Sequence, residues 1–255
     1  MSTTLYIITG ASRGMGEAIA TQLLSPEHYV IGISRGQSAD LTAAAQASGA
    51  KLEQWPRDLA DPLSAAKALQ AWLEALPPGR FSQATLINNA GVVPMPGPVD
   101  ETSLEELSTA LRVGLEATLL LSSAFLRGTA QLNLGSQRRI LNISSGLGRR
   151  AMAGSAAYCA AKAGMDNLSR AMALDEAAKP AGATVVSLAP GVIDTDMQTQ
   201  LRAGDPAKFP DRAQFVNFKT SGQLQSPPDA ARKVLAYLAR ADFGRITLAD
   251  LRDPA

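Results

Sequence analysis

Tyr158 and Lys162 stand four residues apart in the run Tyr158-Cys159-Ala160-Ala161-Lys162. On a helix they share one face, one turn apart. An ammonium beside a phenol favours the phenolate, so the spacing predicts a Tyr158 pKa drawn below its usual ~10. A phenol tuned in this way exchanges a proton with a carbonyl or alcohol oxygen near neutral pH. Ser145, just past a strand-like run, offers the same oxygen a hydrogen bond. A Tyr-x-x-x-Lys pair recurs by chance on helix surfaces, so its meaning rests on its companions.

The first companion is the loop Thr9-Gly10-Ala11-Ser12-Arg13-Gly14-Met15-Gly16, between an apolar run and an amphipathic segment. Gly10 permits a tight turn. Gly14 and Gly16 let the backbone approach a pyrophosphate at a helix N-terminus, where free N–H groups and the helix dipole favour anions. After the second apolar run, Ile33-Ser34-Arg35-Gly36 lacks the acid that an NAD site uses to hold the ribose 2′-hydroxyl. Arg13 and Arg35 flank the expected adenosine ribose, and guanidinium groups bind a 2′-phosphate well. The expected cofactor is therefore NADP(H), and no metal site is expected.

Positioning these groups requires a regular frame. Leu5–Thr9, Tyr29–Ser34, Leu52–Pro56, Thr85–Asn88, Arg139–Ser144 and Thr184–Leu188 read as short buried parallel strands. Helical segments are expected near 14–24, 39–49, 62–76, 103–127, 156–178 and 228–241. Asp61-Pro62 and Ser226-Pro227 supply caps with proline in the first turn. The alternation predicts an α/β, doubly wound Rossmann fold: one domain over 1–255, with a central parallel sheet and helices on both faces. Residues 192–226 show little periodicity and follow a strand's carboxyl end, so a substrate lid is expected there.

Composition narrows the class. The 255 residues are 46% hydrophobic and 18% charged, ordinary for a globular protein. A net charge of +1 and 5% aromatic residues give no reason to expect nucleic acid or an anionic membrane as partner. Cys159 is the only cysteine, so no intrachain disulfide forms, and a reducing compartment fits. No signal peptide or membrane span is expected, which makes the cytoplasm the default location.

Thr9–Gly16, Asn88-Asn89-Ala90-Gly91, Ile143-Ser144-Ser145, Tyr158…Lys162 and Pro190-Gly191-Val192-Ile193-Asp194-Thr195 follow one another along the chain. In this order and spacing they resemble the short-chain dehydrogenase/reductase family over essentially the whole chain. Ala189-Pro190-Gly191 with Asp194-Thr195-Asp196-Met197-Gln198 resembles its sepiapterin reductase and benzil reductase-like subgroup. The resemblance implies that Tyr158 is the acid/base and that Lys162 holds the nicotinamide ribose and lowers the tyrosine's pKa. Ser145 would polarise the carbonyl. Asp58, with Leu59 beside it, would meet the adenine. Asn89, Ala90 and Gly91 would support the cofactor, and Pro190, Gly191, Ile193 and Thr195 would grip the carboxamide. The implied reaction is NADPH-dependent reduction of a ketone, diketone or pterin side-chain carbonyl. The alternatives are a 3-oxoacyl-thioester reductase or a non-catalytic NADPH-binding sensor. One departure stands in Val113-Gly114-Leu115, where many members carry an asparagine associated with a helix bend and a proton relay. Glycine permits the bend but brings no side chain.

Other residues receive plainer readings. Cys159 is expected to be a packed thiol, His28 a loop residue, and Arg149 with Arg150 a solvated pair. Met152, Met197, Phe209, Phe215 and Phe218 are candidates for an apolar pocket, and Asp250 for a polar substrate contact. The apolar faces of 103–127 and 156–178 exceed what one sheet face needs. With the family resemblance they imply a homodimer or homotetramer.

Overall fold

A computed structural model describes residues 3–253, so residues 1, 2, 254 and 255 of the span read as one domain lie outside the described residues. Strands β1 (Thr4–Thr9), β2 (His28–Ser34), β3 (Lys51–Pro56), β4 (Gln83–Asn88), β5 (Arg138–Ile143), β6 (Thr184–Ala189) and β7 (Leu248–Asp250) form a parallel sheet in the order β3-β2-β1-β4-β5-β6-β7. The first six follow the apolar runs within a residue or two. The sequence reading missed β7, which is three residues long and pairs Ser187 with Leu248 and Ala189 with Asp250. A strand this short carries no periodic signal.

The helices are α1 (Gly14–Gln22), α2 (Ala39–Ser48), α3 (Pro62–Glu74), α4 (Leu104–Leu111), α5 (Ala117–Gly128), α6 (Ala156–Ala177), α7 (Asp196–Ala203), α8 (Arg212–Thr220) and α9 (Pro227–Leu238). Alternate strand residues feed two cores. Leu5, Ile7, Leu86 and Ile140 pack with Leu69, Leu73, Leu121 and Phe125 of α3 and α5. Ile8, Ile87, Leu141 and Val186 pack with Ile19 of α1 and Val234 of α9. Each such side chain stabilises the fold by about 1.5–3 kcal/mol through burial. The expected caps form: Asp61 accepts from the Ser64 amide at 3.3 Å, and Ser226 from the Asp229 amide at 3.2 Å.

Two helical expectations change. The segment read as one helix over 103–127 contains a π-helical turn, Arg112–Glu116, between α4 and α5. A Cβ at Gly114 would lie 3.0 Å from the Ala161 Cβ, so glycine lets this turn press against α6. The stretch Leu104–Leu132 has the length and mean hydropathy, 1.3, to cross a membrane, but Val113, Ala117, Leu121 and Phe125 within it belong to the core. Residues 192–226 are not structureless: they hold α7 and α8, whose turns are short and largely polar outside.

Helix α6 carries both Tyr158 and Lys162, and its placement is set from inside. Asn88 on β4 donates to Asn142 on β5 at 2.8 Å, Asn142 donates to Ser169 on α6 at 2.8 Å, and Ser169 donates to the Met165 carbonyl at 2.7 Å. All four residues are buried, so each bond must form to offset desolvation. At the far end, the buried Glu176 carboxylate accepts from the Ala183 amide at 2.8 Å and pairs with Lys179 and Arg138. Burial pushes this carboxyl up, but the Ala183 amide and the two cations outweigh it and hold it below its ordinary 4.5. A depressed carboxylate contributes stability above its unfolded pKa and loses it as pH falls through the folded value. Glu176→Gln is therefore expected to cost about 1–3 kcal/mol near neutrality. Chemical denaturation should show that deficit at pH 7 and a smaller one at pH 3; a constant deficit would refute the charge-based account.

Candidate active site

Strands β1 and β4 are neighbours whose connections leave in opposite directions, which opens a crevice at their carboxyl ends. A cleft of about 1170 Å³ lies along this edge. It brings together every residue singled out from the sequence for catalysis or cofactor contact. Gly10, Ser12, Arg13, Gly14, Met15 and Gly16 line its centre, with Asn89, Ala90 and Gly91 opposite. Thr9 joins the two sides, its hydroxyl accepting from the amides of Asn89 and Ala90 at 2.9 Å each.

The glycines are required sterically. Gly10 and Gly14 have φ of 68° and 58°, in the left-handed region. A Cβ on Gly16 would drive into the Gly10 carbonyl and the Asn89 side chain. Arg13, at the N-cap of α1, makes no side-chain cap, so the first-turn amides are left for an anion in the cleft.

At one end, Ser34, Arg35, Asp58 and Leu59 line the cleft as expected. Arg57 joins them, a cation the sequence reading passed over although it directly precedes Asp58. Arg13 departs from expectation: instead of turning toward Arg35, its guanidinium meets Asp196 at the start of α7, 2.9 Å away. Solvent screens this exposed pair, which leaves it weak. Pro190, Gly191, Ile193 and Thr195 line the opposite wall. Gln225 holds that wall through backbone bonds with Val192 and Asp194 at 3.0 and 2.9 Å.

Ser145, Tyr158 and Lys162 converge beyond it. Lys162 is 4% exposed; its ammonium donates to the Ile143 carbonyl at 2.6 Å and lies 5.7 Å from the Tyr158 ring centre. Burial lowers its pKa to about 8, against the opposing pull of the Asp166 carboxylate. The expected lowering of Tyr158 does not occur. Burial raises the phenol to about 12, outweighing a hydrogen bond with Ser145. Desolvation of this buried phenol dominates the balance.

Past Tyr158 the cleft becomes apolar. Val93, Leu147, Met152, Met197, Phe215 and Phe218 line it, whereas Phe209 is fully buried behind Phe215. Helices α7 and α8 supply Met197, Phe215 and Phe218. Cys159 is half-buried against the same cluster. His28 opens β2, with Nδ1 2.7 Å from the Leu23 carbonyl oxygen. Two further readings need correction. Arg149 is exposed but not free: it meets Asp166 at 3.3 Å and donates to the Ala249 carbonyl at 2.9 Å, and of the pair Arg150 lines the cleft. Asp250 holds Arg252 in a two-pronged ion pair, so Arg252 rather than Asp250 lines the cleft.

The family model for short chain dehydrogenases matches residues 4–206. Benzil reductase ((S)-benzoin forming) of Bacillus cereus is 34% identical over 237 residues, covering 93% of this chain and 94% of its own. Sepiapterin reductase of Bos taurus is 29% identical over 250 residues, covering 94% of this chain and 91% of its own. A solved structure described as an NAD(P) dependent gluconate 5-dehydrogenase from Beutenbergia cavernae, with bound NADP at low occupancy, matches with a TM-score of 0.80 at 28% identity. It covers 98% of this chain and 96% of that one.

Gly16→Ala tests the loop directly. The added methyl is expected to displace the turn and to weaken dinucleotide binding at least tenfold in calorimetric titration. Unchanged affinity would show that the loop does not hold the ligand's phosphates.

Proposed function

The chain belongs to the short-chain dehydrogenase family of oxidoreductases, and from that premise we propose that it is an NADPH-dependent reductase of bulky apolar ketones or diketones. The observation that carries the reading is the continuity of one cleft. It runs from an uncapped helix N-terminus behind a glycine turn, past Ser145, Tyr158 and Lys162, into an apolar chamber.

The residues present fit a nicotinamide dinucleotide. Gly10, Gly14 and Gly16 leave room for a pyrophosphate, with Ser12 and Met15 beside it. Arg35 and Arg57 at the adenosine end, with no acid in the Ile33–Gly36 turn, favour a 2′-phosphate over a free hydroxyl. The weak bond of Arg13 to Asp196 leaves that guanidinium available as a third partner. Asp58 and Leu59 would meet the adenine, Asn89, Ala90 and Gly91 would back the cofactor, and Pro190–Thr195 would hold the carboxamide. The relative solved with bound NADP supports the same choice.

When bound there, NADPH would supply the hydride chemistry for the reduction of a carbonyl carbon. Ser145 orients the carbonyl oxygen. Tyr158 Oη gives that oxygen its proton, so that C=O becomes C–OH. A phenol raised to about 12 stays protonated across the physiological range, the form that reduction needs. Lys162, charged below about pH 8, would hold the nicotinamide ribose beside Tyr158. The chamber of Leu147, Met152, Met197, Phe215 and Phe218 suits an apolar substrate such as an aromatic diketone, as does the similarity to benzil reductase. We take residues 192–226, with α7 and α8, as the lid over this chamber.

Leu104, Leu111, Leu119 and Leu174 are exposed on α4, α5 and α6, which supports a homodimer or homotetramer through these helices. The lone thiol of Cys159 suits the reducing cytoplasm.

Tyr158→Phe is expected to reduce benzil turnover at least a thousandfold, followed by NADPH absorbance, while NADPH affinity changes less than threefold. Retained turnover would remove Tyr158 as the acid. Arg35→Ala combined with Arg57→Ala is expected to weaken NADPH at least tenfold and NADH little. Equal losses for both would overturn the choice of cofactor.

A further inference from the structure

Asp166 is a buried carboxylate that the mechanism above leaves unused. It lies on α6 one helical turn beyond Lys162 and is 2% exposed. A buried carboxylate persists only if its oxygens are satisfied, and here both are. Ser187 on β6 donates to Oδ1 at 2.7 Å, and Arg149 from the turn after β5 donates to Oδ2 at 3.3 Å. Arg149 is fixed in turn by the Ala249 carbonyl at 2.9 Å and by Asp250 at 3.8 Å, and Asp250 also holds Arg252. The result is a row of alternating charges that runs from the buried Lys162 and Asp166 outward through Arg149 and Asp250 to the exposed Arg252.

The groups facing Lys162 make Asp166 decisive. On its own helix lie the Tyr158 phenol and the Met165 sulfur. Strand β5 offers only the neutral Ile143 carbonyl, and the loop after β4 presents Gly91. The π-helical turn packed on α6 places Gly114 against the neighbouring Ala161 and offers no side chain there. Among the described residues, Asp166 is the carboxylate that acts on Lys162. We propose that Asp166 is a positioning residue for the reaction: its anchored carboxylate keeps the buried lysine in its ammonium form while Tyr158 transfers its proton. The proposal rests on the reductase reading for its catalytic half. Its electrostatic half rests on the one-turn spacing of the two buried residues on α6 and is tested without substrate.

Two variants separate charge from structure. Asp166→Asn and Arg149→Gln both disturb the same contact, but only the first removes the anion near Lys162. With protein carrying [ε-13C]lysine, and Lys162→Arg to assign the signal, the Lys162 titration can be followed by NMR without substrate. In the parent protein it is expected near pH 8. Asp166→Asn should move it down by roughly one unit, the size of a typical neighbouring-charge effect. Arg149→Gln should leave it in place or raise it, because a competing cation is gone. The alkaline limb of kcat/KM for benzil reduction should shift with the NMR value in each variant. A Lys162 titration that ignores Asp166→Asn, or that falls equally in both variants, overturns the proposal. So does an alkaline limb that stays put while the titration moves. If Asp166→Asn does not fold, a downward shift in Arg149→Gln alone is enough to reject it. A protein that reduces no carbonyl yet shows the titration shift would keep the coupling and remove the reductase reading.

Discussion

A charged amine enclosed at the end of a sheet is the constraint around which this molecule is arranged. An ion removed from water costs several kcal/mol unless the interior supplies partners. Lys162 finds one in the Ile143 carbonyl at 2.6 Å, a group available only because β5 stops there. The neighbouring backbone has to come close, and glycine makes that possible. A Cβ on Gly91 would sit 3.8 Å from the Lys162 ammonium, and one on Gly148 would press within 2.9 Å of both the Lys162 carbonyl and the Asp166 carboxylate. At Gly91 that is ordinary contact, whereas at Gly148 a side chain would force the Lys162 backbone or the Asp166 carboxylate to shift.

The same enclosure sets the chemistry. Burial moves lysine and tyrosine apart: the amine becomes easier to deprotonate and the phenol harder. A tyrosine that keeps its proton is the form able to protonate an oxyanion, so desolvation sets which form of Tyr158 faces the cleft. The buried amides and hydroxyl of Asn88, Asn142 and Ser169 transmit this arrangement to the sheet. Together they fix the rotation of α6 about its axis, and with it the direction of Tyr158.

Much of this was legible in the residues. Six strands, the caps at Asp61 and Ser226, and the convergence of the glycine loop with Ser145, Tyr158 and Lys162 followed from local patterns, which reflect nearest-neighbour physics. What stayed hidden depended on distant partners. Arg149 looked like a surface cation because its partners, Asp166 and Asp250, lie 17 and 101 residues further along the chain. Strand β7 exists because β6 offers it an edge. Helices α7 and α8 depend on packing around Phe209 and Phe215, which outweighs a weak local pattern. The raised tyrosine was also beyond reach, since spacing gives proximity but not the depth at which a pair is buried.

The parallel sheet gives the molecule a working side and a blank side. Thr4 begins β1 at the amino edge, whereas Asp250 ends β7 level with Ala189, at the edge that carries the cleft. The two ends of the described chain therefore leave from opposite poles. For attachment to a resin or an electrode, a linkage ahead of Thr4 would turn the cleft outward to the bulk liquid. Anchoring beyond Asp250 would press the opening toward the support and load the strand that steadies Arg149.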